Sequence, residues 1–381
     1  MKRVLIVQPS LQPPGGSNGV AAWTVQALAA HHRVTVLTWA PIDVGPVNRF
    51  YGTSLERADF DAISVPATWR RMLDALPVPA ALLKNALLMR HIRSVGARFD
   101  VIVGTFNEND YGRRGIQYVH YPTYLRPRPE VDLRWYHASG RLLDGYYKVA
   151  DRIAGFSLER LRSNLTLVNS DWTGSHVSRF LGVSTHTVYP PVVDPSPGAP
   201  WLERRSGFLA IGRIAPEKDY ERLIRIIARV RERHDVSLTI IGTWDRHARG
   251  YFRSLQKLAT TMGPWVTFRH DISRDEVRAL MASHRYGIHG MREEHFGMAP
   301  AEMVRAGMVV WVPAGGGQVE IVNHEALTFA DDDEAVEKIT RTLDDAQEQA
   351  RLRDHLAGTA ERFSTTRFME RVRSLVETFE G

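Results

Sequence analysis

Two glutamates, Glu294 and Glu302, stand eight positions apart in the stretch EEHFGMAPAEMVRAGMVVWVPAGGG, and the residues around them limit what they can do. Gly297 and Pro300 forbid one unbroken helix through both. Proline suits the first turn of a helix, where its missing N–H costs nothing, and Ala306-Gly307 marks an end. The stretch therefore reads as loop, short helix, glycine stop and strand. Glu294 then lies just before the free N–H groups of Met298 and Ala299, which together with the helix dipole favour an anion. A carboxylate beside an anion site fits a ligand carrying both phosphates and hydroxyls, as a nucleotide sugar does. The plainer alternative is a surface helix with acids near its start, and these residues alone leave both open.

Further candidates follow predicted strands. Arg213 and Lys218 occupy Gly212-Arg213-Ile214-Ala215-Pro216-Glu217-Lys218-Asp219, where a guanidinium and an ammonium five residues apart suit one diphosphate. Pro13-Pro14-Gly15-Gly16-Ser17-Asn18-Gly19 precedes a helix expected from Val20. Its glycines admit a ligand close to the backbone, although it lacks the GxGxxG dinucleotide fingerprint and also fits a flexible turn. His120 and His289 each close a strand, as a satisfied structural group or as a donor to a sugar hydroxyl. None of the 15 histidines has HExxH-like spacing, so no metal is expected. The acidic run Asp331 to Glu334 directly precedes the helical stretch Ala335 to Leu343 and reads as capping.

The elements that must position these residues alternate between strand and helix in each half. Strands are expected at Arg3 to Gln8, Arg33 to Trp39, Asp100 to Gly104, Gln117 to His120 and Leu165 to Asn169. A second series follows at Gly207 to Ile211, Ser237 to Ile241, Trp265 to Arg269, Tyr286 to His289 and Val309 to Val312, with a helix near Tyr220 to Arg233. The pattern predicts an α/β chain of two doubly wound, Rossmann-like domains facing one another across a cleft, with ligands at the carboxyl ends of the strands. The proline-rich Tyr189 to Pro200 suits a linker. The expected division is residues 1–190, a linker at 191–200, and residues 201–364. A final helix at 365–381 carries Phe368, Val372, Leu375, Val376 and Phe379 at helical spacing.

The 381 residues suit two domains, and 44% hydrophobic with 24% charged residues is an ordinary globular balance. Absence of cysteine excludes disulfides and thiolate chemistry. No apolar run approaches the roughly 18 residues that span a bilayer, and MKRVLIVQPS reads as strand and loop, so a cytoplasmic protein is expected. The net charge of +6 comes with scattered arginines, among them Arg70, Arg71, Arg90, Arg93, Arg113, Arg114, Arg126 and Arg128, in no nucleic-acid-recognition pattern. They describe a solvated basic face or one facing an acidic partner. Leu82 to Val95 likewise fits a core helix with a wet edge or an interfacial helix, which leaves peripheral membrane contact open.

Taken together, Gly15 to Gly19, IGRIAPEKD at Ile211 to Asp219, the Glu-x7-Glu pair and Gly315-Gly316-Gly317 resemble the retaining glycosyltransferases of family 4, over essentially the whole chain. YVHYP at Tyr118 to Pro122, VYPPV at Val188 to Val192 and EHFG at Glu294 to Gly297 are similar to mannosyltransferases that extend dolichol-linked oligosaccharides from GDP-mannose. The resemblance implies the GT-B architecture and transfer of a hexose with retention, most simply mannose from GDP-mannose, to a glycan, lipid-linked or small-molecule acceptor. A UDP-sugar donor of the glucose or N-acetylglucosamine type is the alternative, and a non-catalytic membrane- or polyanion-binding protein is a further one. It implies that Arg213 and Lys218 neutralise the diphosphate and Glu302 binds the ribose. Glu294 with His295, Phe296 and Gly297 would hold the sugar, and the amides of Met298 and Ala299 would support the phosphates. Gly16 would shape the acceptor-side loop, and His120 would approach the donor sugar. Transfer would follow front-face attack, the departing diphosphate taking the acceptor's proton, with no metal or other cofactor and no nucleic-acid partner. The acceptor-side loops, including Arg126 to Pro129, carry no decodable specificity.

Overall fold

A computed structural model describes residues 1–75, 80–122, 141–195, 198–244 and 248–380, of which 141–144 are described by backbone only. The chain divides into two compact units, Met1–Pro191 with Thr366–Gly381, and Val192–Thr365.

The first unit is a seven-stranded sheet of β1 (Arg3–Val7), β2 (Arg33–Thr38), β3 (Asp61–Ser64), β4 (Val101–Gly104), β5 (Ile116–Val119), β6 (Leu165–Val168) and β7 (Thr185–Thr187). Their order is β3-β2-β1-β4-β5-β6-β7 and every pairing is parallel. Strands such as Val4 to Val7 are buried along their length because helices cover both faces of a parallel sheet. Ala81–Val95 is one of those helices: Ala86, Leu88, Met89, Ile92 and Val95 are buried, so it is a core helix with a wet edge. The last helix, Thr365–Thr378, also belongs here. Its Val372, Leu375 and Val376 line one small cavity with Val103, Ile116, Tyr118 and Leu167, and Lys2 Nζ donates to the carbonyls of Val376, Glu377 and Phe379 near its end.

The second unit holds β8 (Arg205–Ile211), β9 (Ser237–Gly242), β10 (Val266–His270), β11 (His284–Ile288), β12 (Val309–Pro313) and β13 (Thr328–Phe329). The order is β10-β9-β8-β11-β12-β13, again parallel throughout. Phe208, Tyr286 and Trp311 pack ring against ring in its core, at 5.2 to 6.0 Å between centroids.

Three expectations need correction. The helix after β1 starts at Gly16 rather than Val20, so the glycines form its first turn instead of a preceding loop. The proline-rich segment is no free linker from Val192 onward. Val192 N donates to Phe363 O at 2.9 Å and Arg305 pairs with Asp194, which stitch the segment into the second unit. The scattered arginines are not simply solvated: Arg93 and Arg160 both bind the buried Asp110 at 2.8 Å, and Arg113 and Arg114 donate to backbone carbonyls. Arg126 and Arg128, with the rest of the Arg126 to Pro129 loop, lie outside the described residues. The acidic run caps a helix as expected, Asp331 Oδ1 accepting from Glu334 N at 2.9 Å.

Candidate functional site

In the second sheet the strand order reverses between β8 and β11, and a ligand crevice belongs at the carboxyl ends of that pair. The loop leaving β8 carries Arg213 and ends in a single 3₁₀ turn, Pro216–Lys218. The segment leaving β11 carries His289, Gly290 and Glu294. Gly290 lets these two segments touch, since a Cβ there would stand 2.3 Å from Lys218 O. With the backbones that close, Lys218 Nζ reaches Glu294 Oε2, and His289 Nε2 lies 3.1 Å from the same oxygen.

This triad is largely shielded, the side chains of Lys218, Glu294 and His289 being 13%, 19% and 4% exposed. Burial alone would push the Glu294 carboxyl up. The hydrogen bond from His289 and the Lys218 charge outweigh it and hold the group well below the ordinary carboxylate range. Burial pushes His289 down from 6.5, Lys218 adds to that, and Glu294 only partly opposes it. The result is an anionic carboxylate between a cation and a neutral imidazole.

The triplet Gly315 to Gly317 holds Glu294 from below. Gly317 N donates to Glu294 O at 2.7 Å, and Gly316, at φ +78°, lies so close that a Cβ would stand 2.3 Å from Glu294 O. The wholly buried Gln318 then donates through Nε2 to Met291 O at 2.7 Å and to Gly315 O at 2.9 Å.

Beyond Glu294 the helix Met298–Arg305 begins with Gly297 in the left-handed region and with no side-chain cap among the described residues. The N–H groups of Met298 and Ala299 therefore end near the triad as an uncapped helix start. Phe296 is 3% exposed and its ring packs edge-on against Phe363, so the side chain belongs to the core. Glu302 is paired through Oε1 with Arg274, an arginine that looks like any surface arginine in the sequence. Arg213 stands apart from the triad: it is 66% exposed and pairs with Glu217 at 3.0 Å.

Gly16 follows β1, at the first unit's own order reversal between β1 and β4, and His120 follows β5, the strand next to β4. His120 Nε2 is 3.0 Å from Thr105 O, and Thr105 Oγ1 donates to Gln8 Oε1 at 2.9 Å. Gln8 Nε2 then donates to Asn18 Oδ1 at 2.7 Å, which ties His120 to the first turn that contains Gly16. Asn107, at φ +80°, accepts from His120 N at 2.8 Å and Tyr121 N at 3.1 Å. Sequence reasoning passed over Arg274, Gln318 and Asn107, whose partners are set by the tertiary fold. Among the described residues no group of three or more His, Asp or Glu could hold a metal ion, and no helix is long and apolar enough to cross a membrane.

Residues 200–357 match the family model of glycosyl transferases group 1. The C-terminal unit is a glycosyltransferase group 1 domain. Named relatives are similar to the chain: the GDP-Man:Man(3)GlcNAc(2)-PP-Dol alpha-1,2-mannosyltransferase of Mus musculus is 30% identical over 230 residues, 54% of this chain and 46% of that protein. The enzyme of that name from Dictyostelium discoideum is 26% identical over 246 residues, 58% of this chain and 48% of its own length. The chain thus spans about half the length of the curated relatives it matches. Among solved structures, HepE of Anabaena with UDP and glucose superposes with a TM-score of 0.69 at 16% identity, covering 100% of both chains. WaaG, a glycosyltransferase involved in lipopolysaccharide biosynthesis, gives 0.65 at 18% identity over 99% of this chain and 100% of its own. These neighbours identify the α/β fold of the chain as GT-B.

Proposed function

We propose that the chain is a retaining hexosyltransferase that transfers mannose from GDP-mannose to a glycan or lipid-linked acceptor. One observation carries this reading: Lys218, Glu294 and His289 converge at the order reversal of the second sheet, beside the uncapped start of Met298–Arg305. That arrangement offers cation and backbone donors for a diphosphate and an anionic acceptor for sugar hydroxyls. The similarity to GDP-mannose-dependent enzymes that act on a dolichol-linked glycan supports the donor and the acceptor class.

In this reading Lys218 leaves Glu294 for the diphosphate, whose greater negative charge compensates for the shielded pair given up. Arg213 leaves its exposed partner Glu217 at little cost, because surface pairs contribute about 0–1 kcal/mol. The amides of Met298 and Ala299 complete the phosphate cradle. Arg274 holds Glu302 through Oε1, which leaves Oε2 for the ribose hydroxyls. Catalysis rests on orientation and on charge stabilisation at the leaving diphosphate, which these cations and the helix start supply without a metal. With retention and no carboxylate nucleophile, the departing phosphate oxygen takes the acceptor's proton. Gly16 shapes the acceptor-side loop of the first unit, where the Gln8, Asn18 and Thr105 hydrogen bonds link it to His120.

The test is turnover of a nucleotide-sugar panel containing GDP-mannose, UDP-glucose and UDP-N-acetylglucosamine. GDP-mannose is expected to be consumed fastest. Preference for either UDP-sugar would reassign the donor, and consumption of none would overturn the enzymatic reading. The site of action expected is cytoplasmic or at a membrane surface. Co-sedimentation with anionic vesicles decides between them.

A further inference from the structure

His289 closes β11 where its sequence position permits a structural group or a hydrogen-bond donor to substrate. The geometry favours neither of those alone. Its ring is 4% exposed and its Nε2 faces Glu294 Oε2 at 3.1 Å, so it presents no nitrogen proton to a ligand. Its backbone N donates to Trp311 O at 2.9 Å, which fixes the ring's root to the neighbouring strand β12. Resting on the donor-site reading above, we infer that His289 is the positioning residue for Glu294, holding the carboxylate by Oε2 so that Oε1 faces the donor sugar after Lys218 moves to the diphosphate.

The two donors to Glu294 respond differently when a nucleotide arrives. Lys218 carries its charge on a flexible four-carbon stem, and a diphosphate with more negative charge than one carboxylate competes for it. Once it leaves, Glu294 would be a shielded carboxylate held only by backbone contacts at Gly316 and Gly317. Such a group would turn toward any cation or water within reach. An imidazole on a short, buried stem cannot follow the phosphate. Because the ring is neutral, its single N–H lies on Nε2 and the hydrogen bond to Glu294 also fixes the tautomer. A neutral donor leaves the carboxylate fully anionic, as an acceptor for sugar hydroxyls requires. Oε1 makes no hydrogen bond to a described residue, whereas Oε2 takes both protein donors.

The experiment compares His289→Leu, His289→Asn and His289→Gln. Glutamine places an amide N–H close to where Nε2 stands, asparagine places it nearer Nδ1, and leucine has none. Steady-state transfer from GDP-mannose and GDP affinity by calorimetry are measured for each. The proposal expects kcat to fall about tenfold or more in the Leu and Asn variants, GDP affinity to stay within about twofold, and Gln to recover most of the rate. A kcat unchanged in Asn, or a Gln variant as slow as Asn, would overturn it. That Asn–Gln comparison decides even if His289→Leu does not fold. Transfer that survives Glu294→Ala would overturn the donor-site reading itself, whatever the His289 variants do.

Discussion

Lys218 and Glu294 meet across 76 residues of sequence, and the pair is shielded enough that each depends on the other. Removing one member of such a pair leaves an uncompensated charge, so Lys218→Ala should lower stability by about 3 kcal/mol in thermal or denaturant unfolding. Arg213→Ala should cost almost nothing in the same measurement, because its partner Glu217 is exposed. Both variants should weaken GDP binding, and Lys218→Ala with wild-type stability would argue against the shielded pair. Protonation acts on the same residues. His289 and His284 are both held neutral by burial, each with a folded pKa below 6.5. The folded protein then binds fewer protons than the unfolded chain in the window just below 6.5. Their contribution is present above that value and is lost as pH falls through the window. Glu294 is shifted in the same direction, but because its charged form is the favoured one. Its lowered carboxyl contributes stability above its ordinary value of 4.5, lost only as pH falls through the folded value. The melting temperature should therefore drop between about pH 7 and about pH 5.5, before carboxylates titrate, and His284→Asn should flatten that drop. A melting temperature constant over this interval would contradict the assignment.

At the scale of elements, the site depends on segments that pack backbone to backbone. Gly316 combines a left-handed φ of +78° with contact against the Glu294 backbone, so Gly316→Ala should destabilise by roughly 2 kcal/mol and slow transfer by displacing Glu294. Full activity with unchanged unfolding would show that the triplet does not hold the site. This is also where sequence legibility ended. Buried strands, the helix Met298–Arg305 and the glutamates around it were readable, because apolar runs, a proline in the first turn and a glycine stop are local signals. The early start of the helix at Gly16 was not, since glycines read as loop until packing fixes them. Strands β7 and β13, of three and two residues, give too few for a pattern, and β3, DAIS, lacks the buried apolar run that marks β4, which is of equal length. That Glu302 pairs with Arg274, and that His289 faces Glu294 rather than a ligand, are consequences of strand order, which no spacing encodes.

For the whole molecule, the chain's end returns to its beginning: Phe368, Val372, Val376 and Phe379 are buried within the first unit. Each buried apolar side chain contributes about 1.5–3 kcal/mol, so removing residues 366–381 should take the first unit below the stability it needs to fold. A milder Phe368→Ala should cost about 3 kcal/mol in unfolding and leave GDP affinity unchanged, because the donor site lies in the other unit. Loss of GDP binding in that variant would mean that the site is not confined to the second unit. The chain carries a glycosyltransferase group 1 domain, and in the proposed function Glu294 works there on the sugar of a bound donor while Lys218 works on its diphosphate. The direct measurement pairs calorimetric GDP binding with GDP-mannose turnover in wild type, Glu294→Ala and Lys218→Ala. Glu294→Ala should retain GDP affinity within about tenfold and lose transfer by about a hundredfold or more, while Lys218→Ala should lose GDP affinity itself. Undiminished transfer by Glu294→Ala, or undiminished GDP affinity in Lys218→Ala, would contradict it.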